Sequence, residues 1–325
     1  MDWKQWIYKI KTKQIDEKFD LDQEAENQIK NISKFIHSGE SNRIKAFELG
    51  EKNNIHITPV HFYQPIPDTS KLDIDMFNKQ LHFNGINFRL DEQLKLVELF
   101  SKFSDELNNI PKKPTKNKKQ YYFENNFFGE LDGIIYYSII REFKPDLIME
   151  VGSGFSTMIA SQAASVNKNT KIISIEPYPN NILKSGLPNL EKIDQKFVQS
   201  IPLNEFKKLQ KNDVLFIDST HIAKIGSDVN YLLLHVIPEL NPGVLIHIHD
   251  FFFPYEYPED WILKRKLFWN EMYVVWAFLI GNSDYEILTS NYNLIKNHFS
   301  ELKKSFPFMS TSTGGAGSLW MRKHK

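Results

Sequence analysis

The sequence predicts an α/β fold: a mostly parallel, Rossmann-like sheet with helices on both faces, preceded by a smaller N-terminal helical and extended region. Three observations predict it. Short β-branched runs alternate with segments of helical spacing, the pattern of a parallel sheet with crossover helices. An apolar run, Asp146-Leu147-Ile148-Met149, passes through Glu150-Val151-Gly152-Ser153-Gly154 into the helix opened by Met158-Ile159-Ala160. Four acids, Glu150, Glu176, Asp218 and Asp250, stand at or near successive strand ends, which a parallel sheet gathers on one rim.

Taken in order, residues 1 to about 55 read as polar, charged helix with Phe35, Ile36, Ile44 and Phe47 as apolar anchors. His61 to Asp68 is extended, because Pro65 and Pro67 push their predecessors out of helical space. Leu90 to Phe100 places apolar residues at helical spacing, with Asp91 near its start. Pro111 to Lys119 is a short lysine-rich run without interleaved aromatics, the mark of a solvated linker. It divides the chain into an accessory region, 1–120, and an α/β domain, 121–325. Within that domain Leu131 to Phe143 is a one-faced helix leading into the first strand. Lys171–Glu176, Asp213–Asp218 and Val244–Asp250 are three further strands, each a buried-type run with a polar end. Asp228 to Leu240 is a helix stopped by Asn241-Pro242-Gly243.

Composition narrows the partners. Forty basic and forty acidic residues cancel, so no net field draws the chain to nucleic acid or an anionic membrane. Arginine occurs only at 43, 89, 141, 265 and 322, which leaves few bidentate forks for phosphate. The absence of cysteine removes disulfides, thiolate metal sites and thiol nucleophiles. Met1 to Trp6 leads into charged sequence, and the longest apolar run, Met272 to Ile280, is well short of the roughly 20 residues of a membrane helix. A cytoplasmic protein with no membrane insertion is expected. A homo-oligomer is allowed.

The glycine turn lets a ligand approach the backbone and offers it free amide groups of the following helix. Glu176 lies 22 residues beyond Gly154, close to the offset of about 20 at which a second-strand acid meets ribose hydroxyls. A pyrophosphate site also wants a third glycine three residues after Gly154, and that position is Thr157. A nucleoside ligand without pyrophosphate fits better.

At these residues the chain resembles the class I S-adenosylmethionine-dependent methyltransferases. Glu150-Val151-Gly152-Ser153-Gly154 is similar to their first motif and Ile175-Glu176-Pro177 to their second. Asp213 to His221 and Asn241 to Asp250 resemble the fourth- and fifth-strand region of the branch holding macrocin O-methyltransferases and cephalosporin-hydroxylase-like proteins. Gly314 to Lys323 is similar to the antiparallel final strand of such a domain. The resemblance covers about residues 120 to 255. It implies S-adenosylmethionine as cofactor, with Glu150, Gly152, Ser153 and Gly154 on the methionine moiety, Glu176 on the ribose, and Gln199 on the adenine in place of the family's acid. It also implies that Asp218, beside the cofactor, and Asp250 hold Mg²⁺ or another divalent metal. His249 stands where relatives carry a second acidic or amide residue, so it is a candidate general base or a ligand for a softer metal.

The implied activity is O-methylation of a hydroxyl on a sugar-like, glycan or natural-product small molecule, with the proton taken by His221, His249 or Asp250 or eased off by the metal. His221 reads equally well as a capping histidine in a strand-end loop, and His247, within a strand, reads as a core histidine. Phe251 to Tyr257 is either a lid for a ring face or plain packing. The rival readings are a nicotinamide-dependent oxidoreductase or epimerase, which would want the third glycine, and a non-catalytic nucleoside-binding assembly module. A serine hydrolase is excluded because Gly152 to Ser156 fails the nucleophile-elbow spacing.

Overall fold

The structure, a computed structural model, describes residues 23–82, 84–310 and 316–324, so Gly314, Gly315 and the first 22 residues lie outside the described residues. The chain divides into two compact units, one of residues 77–258 and 269–325 and a smaller one that includes the described residues 23–76 with 259–268.

Among the described residues the larger unit has seven strands: β1 (Leu147–Val151), β2 (Lys171–Ile175), β3 (Leu190–Asp194), β4 (Val214–Ile217), β5 (Leu245–Ile248), β6 (Tyr285–Ser290) and β7 (Leu319–Lys323). Their order is β3-β2-β1-β4-β5-β7-β6. The first five pair in parallel, and β7 runs antiparallel between β5 and β6. The Rossmann-like sheet with an antiparallel final strand is therefore present. Strand order reverses between β1 and β4, which makes their carboxyl ends the switch point where an open α/β sheet forms its crevice.

Burial follows position in the sheet. β4 and β5 are buried throughout, whereas β3, at the edge, carries exposed Glu191 and Lys192. Register places Glu150, Phe216, His247 and Trp320 side by side on one face. The helix Glu130–Phe143 covers that face, and its Tyr136 ring stacks on Phe216 with centroids 4.7 Å apart. His247 stacks on Phe216 at 3.8 Å, and its Nε2 lies 2.8 Å from the Ser318 hydroxyl. It is a core histidine, and burial drives its pKa well below the ordinary value, with the neighbouring His249 adding to the effect.

The expected helices at 90–100 and 131–143 form, as Leu90–Phe100 and Glu130–Phe143. The predicted 228–240 helix is one irregular rod: α over Asp228–Tyr231, π over Leu232–Val236 and 3-10 over Ile237–Glu239. Pro238 supplies no N–H and crowds the preceding turn, so the hydrogen-bonding pattern shifts there. Phe251, Phe252, Phe253, Tyr255 and Tyr257 are all buried, so this segment is packed into the core of the unit. The lysine run at 112–119 is exposed.

The smaller unit opens with two helices, Gln23–His37 and Glu40–Lys52, that pack on each other. Phe62 and Tyr63, in the predicted extended segment, are 80% and 83% exposed.

Candidate active site

The turn after β1 is shaped by glycine at one position above all. Gly152 has φ +80°, and a Cβ there would collide with the Asp218 carbonyl at the end of β4. A Cβ on Gly154 would meet nothing within 4 Å, so the turn is tight against the sheet on one side and open on the other. The Gly154 N–H donates to Thr157 Oγ1 at 3.0 Å. Thr157 is fully buried and caps the helix Phe155–Asn167. The residue in place of a third glycine therefore has a structural duty, satisfying one of the helix's first free donors.

Glu176 follows β2, and its carboxylate accepts the Ser153 N–H at 3.3 Å and the Tyr178 N–H at 2.8 Å. Ser153 Oγ lies 2.5 Å from Ser174 Oγ. Glu150, Gly152, Ser153, Gly154 and Glu176 are thus gathered at the β1 and β2 ends, with Glu150 buried beneath the turn. Gln199 is exposed, and its Nε2 donates to the Gly226 carbonyl at 3.1 Å, which ties it to the loop after β4. Tyr178 and Phe197, beyond β2 and β3, are 43% and 57% exposed with ring centroids 6.0 Å apart.

The second group stands across the switch point. His221 Nε2 is 3.3 Å from Asp218 Oδ1 and 3.3 Å from Asp250 Oδ2. His249 Nε2 is 3.6 Å from Asp250 Oδ1, and His249 Nδ1 is buried without a hydrogen-bond partner among the described residues. His221 and Asp250 both adopt left-handed backbone, at φ 61° and 53°. Such conformations cost a non-glycine residue about 1 kcal/mol or more and collect at functional sites.

One member of this group was not found from sequence. Glu271, the first residue of the helix Glu271–Leu279, places Oε2 2.9 Å from His221 Nδ1. It arrives from 50 residues away and carries no motif. The same segment grips the loop backbone, since Asn270 and Glu271 both donate their N–H to the His221 carbonyl, at 3.1 and 3.2 Å. Thr220 is held by Asp228, which accepts its N–H at 3.0 Å and its hydroxyl at 2.6 Å. Burial alone would depress the His221 pKa, but Asp218, Glu271 and Asp250 around the ring overcome it and raise the pKa to about 10.

Asp218, His221 and Asp250 offer two carboxylate oxygens and one imidazole nitrogen within 4.8 Å of one another. Convergent oxygen and nitrogen donors of this kind suit a divalent cation.

A reversed sheet order with a glycine turn at its switch point, a second-strand acid folded over that turn and an antiparallel β7 define a class I methyltransferase fold. Residues 149–251 match a family described as a methyltransferase domain. An uncharacterized protein of Archaeoglobus fulgidus is 36% identical over 165 residues, covering 47% of this chain and 74% of the relative. The chain belongs to one family with that protein, and the methyltransferase-domain match of this chain runs from β1 to β5. A crystal structure from Klebsiella pneumoniae, named provisionally as an O-methyltransferase, is similar at TM-score 0.35 and 13% identity, covering 72% of this chain and 90% of that one. Among the described residues no helix is long and apolar enough to cross a membrane.

Proposed function

We propose that this chain is an S-adenosylmethionine-dependent methyltransferase that methylates a hydroxyl on a sugar-like or natural-product small molecule. One observation carries the reading: the Gly152–Gly154 turn, closed by Glu176, opens at the same switch point as the Asp218–His221–Asp250 group. A donor cradle and a proton-handling group thus share one rim.

The cofactor supplies an already activated methyl group. The chain has to hold it, align an acceptor oxygen in line with it and dispose of one proton. Gly152, Ser153 and Gly154 permit close backbone approach by the methionine portion, and Glu150 beneath them balances its ammonium charge. Glu176 faces the ribose hydroxyls. The exposed Tyr178 and Phe197 rings supply apolar surface for the adenine, with Gln199 at the rim. On the acceptor side Asp218 and Asp250 are the hard donors for a divalent cation, which lowers the pKa of a hydroxyl when bound. His249, with Nδ1 unpaired, takes the proton, while Asp250 and His221 orient the acceptor oxygen.

Isothermal calorimetry with S-adenosylmethionine and its demethylated product tests this directly. Both should bind, and Glu176→Ala should weaken them at least about tenfold through loss of a charged hydrogen-bond partner. Binding of NAD and of neither sulfur ligand would overturn the reading.

A further inference from the structure

We propose that His221 is the third protein donor to the cation, that Glu271 is the carboxylate holding its ring in place, and that the site consequently takes a first-row transition ion such as Mn²⁺, Fe²⁺ or Co²⁺ in preference to Mg²⁺. This deepens the reading above and rests on it only for the cation's purpose, which is to meet the acceptor oxygen.

The geometry is that of a ligand set. Donors about 2.1 Å from one cation and at right angles to each other stand about 3 Å apart. His221 Nε2 is 3.3 Å from an oxygen of each aspartate, close to that spacing on both sides. Its other nitrogen, Nδ1, is committed to Glu271 at 2.9 Å. A cation bound here takes the place of the Nε2 proton, and a ring whose Nδ1–H is donated to a carboxylate then presents Nε2 as the lone-pair nitrogen, an arrangement that recurs around metal-bound histidines. The ring plane is fixed as well, because Trp269 lies against it with centroids 4.5 Å apart. The loop carbonyl and the imidazole are therefore both held by Trp269-Asn270-Glu271, and the left-handed φ of 61° at His221 is maintained by the same contacts.

Burial points the same way. Glu271 and His221 have side chains only 3% and 4% exposed, whereas Asp218 is 32% exposed. A carboxylate at the head of an otherwise apolar helix is costly to bury and has the imidazole as its compensation. The imidazole in the set also decides the ion: Mg²⁺ prefers an oxygen shell, and nitrogen donors favour later divalent metals.

The full chain, freed of metal, is titrated with Co²⁺, Mn²⁺ and Mg²⁺ separately by calorimetry, with Co²⁺ also followed by visible absorption. Wild type should bind Co²⁺ and Mn²⁺ more tightly than Mg²⁺. His221→Ala should lower Co²⁺ affinity by about 30-fold or more while changing Mg²⁺ affinity by less than about threefold. Glu271→Gln, nearly isosteric and so safer for folding, should lower Co²⁺ affinity by about 10- to 100-fold and alter the cobalt spectrum, with thermal unfolding monitored beside it. No binding of Co²⁺ to wild type, equal losses for Co²⁺ and Mg²⁺ in His221→Ala, or an unchanged Co²⁺ affinity in both variants overturns the proposal. S-adenosylhomocysteine is titrated into the same samples. Its failure to bind would sink the methyltransferase reading without touching the metal result.

Discussion

The backbone of Gly152 packs against the carbonyl of Asp218 so closely that the structure leaves no room for a Cβ between the β1 turn and the end of β4. This contact sets the separation between the β1 turn and the acid group, because Asp218 belongs to the latter. Two penalties fall on Gly152→Ala: the collision with main chain, and a φ of +80° that alanine adopts with strain. We expect a loss of about 3 kcal/mol or more in urea unfolding, together with loss of cofactor binding. Gly154→Ala meets no atom within 4 Å and should cost only about 1 kcal/mol, the loss on placing alanine at the N-cap of the helix Phe155–Asn167, while weakening the cofactor that its Cβ would approach.

A second prediction concerns pH and lies far from the site. Arg141 donates through Nε at 2.8 Å and a second guanidinium nitrogen at 3.0 Å to Glu106, which also accepts the Tyr137 hydroxyl at 2.7 Å. The Arg141 hydrogen bonds hold the Glu106 pKa below its ordinary 4.5, outweighing partial burial. A lowered carboxyl pKa contributes stability that is complete above the unfolded value and disappears as pH falls through the folded one. The Glu106 side chain is 37% exposed, so after screening Glu106→Gln should cost about 1 kcal/mol at pH 7. Urea midpoints of the two proteins should converge as pH falls below 4.5. A gap that persists at pH 3 would show that packing, not charge, is responsible.

Much of the fold was legible because buried parallel strands are short apolar runs with polar ends. β1, β2, β4 and β5 could be placed for that reason, and the acids Glu150, Glu176, Asp218 and Asp250 marked their rim. β3 and β6 were not placed. Leu190-Glu191-Lys192-Ile193-Asp194 is a half-exposed edge whose charges hide its pattern, and Tyr285–Ser290 pairs only with β7, a partner far along the chain. In the acid group His221 was a candidate by its spacing from Asp218. Glu271 was invisible, since its role exists only once the chain brings it 2.9 Å from His221.

His247 gives a third test, of the difference between a core histidine and a reactive one. Its pKa lies well below 6.5 because burial excludes the charged form. The unfolded chain then takes up a proton that the folded chain refuses, so stability falls as pH drops below 6.5, with a slope of up to about 1.4 kcal/mol per pH unit. His247→Leu removes the titrating group and the Ser318 bond, and should cost about 1–2 kcal/mol at pH 7. Its stability should then be flatter between pH 7 and pH 5 than that of wild type. Methyl transfer should persist at a reduced rate, because His247 packs under the helix Glu130–Phe143 while its ring stands 5.7 Å from that of His249.

Asp250 separates the two ways of handling the acceptor's proton. Its φ of 53° is tolerated by aspartate and asparagine far better than by alanine, so Asp250→Asn preserves the backbone while removing the charge. If a cation eases the proton off, Asp250→Asn and a chelator should each reduce turnover by about 100-fold or more, with S-adenosylhomocysteine affinity unchanged. The two treatments should not add, because both remove one device. His249→Ala in the same assay should then cost only about tenfold, the share of a proton acceptor whose oxygen is already acidified. If histidine alone does the work, the order inverts: the chelator is without effect, His249→Ala abolishes transfer, and the His249 Nε2 to Asp250 Oδ1 approach of 3.6 Å becomes the contact that orients the base. Measured as single-turnover rates with saturating cofactor, the four samples assign the proton to one route, because each route predicts a different sample as the slowest.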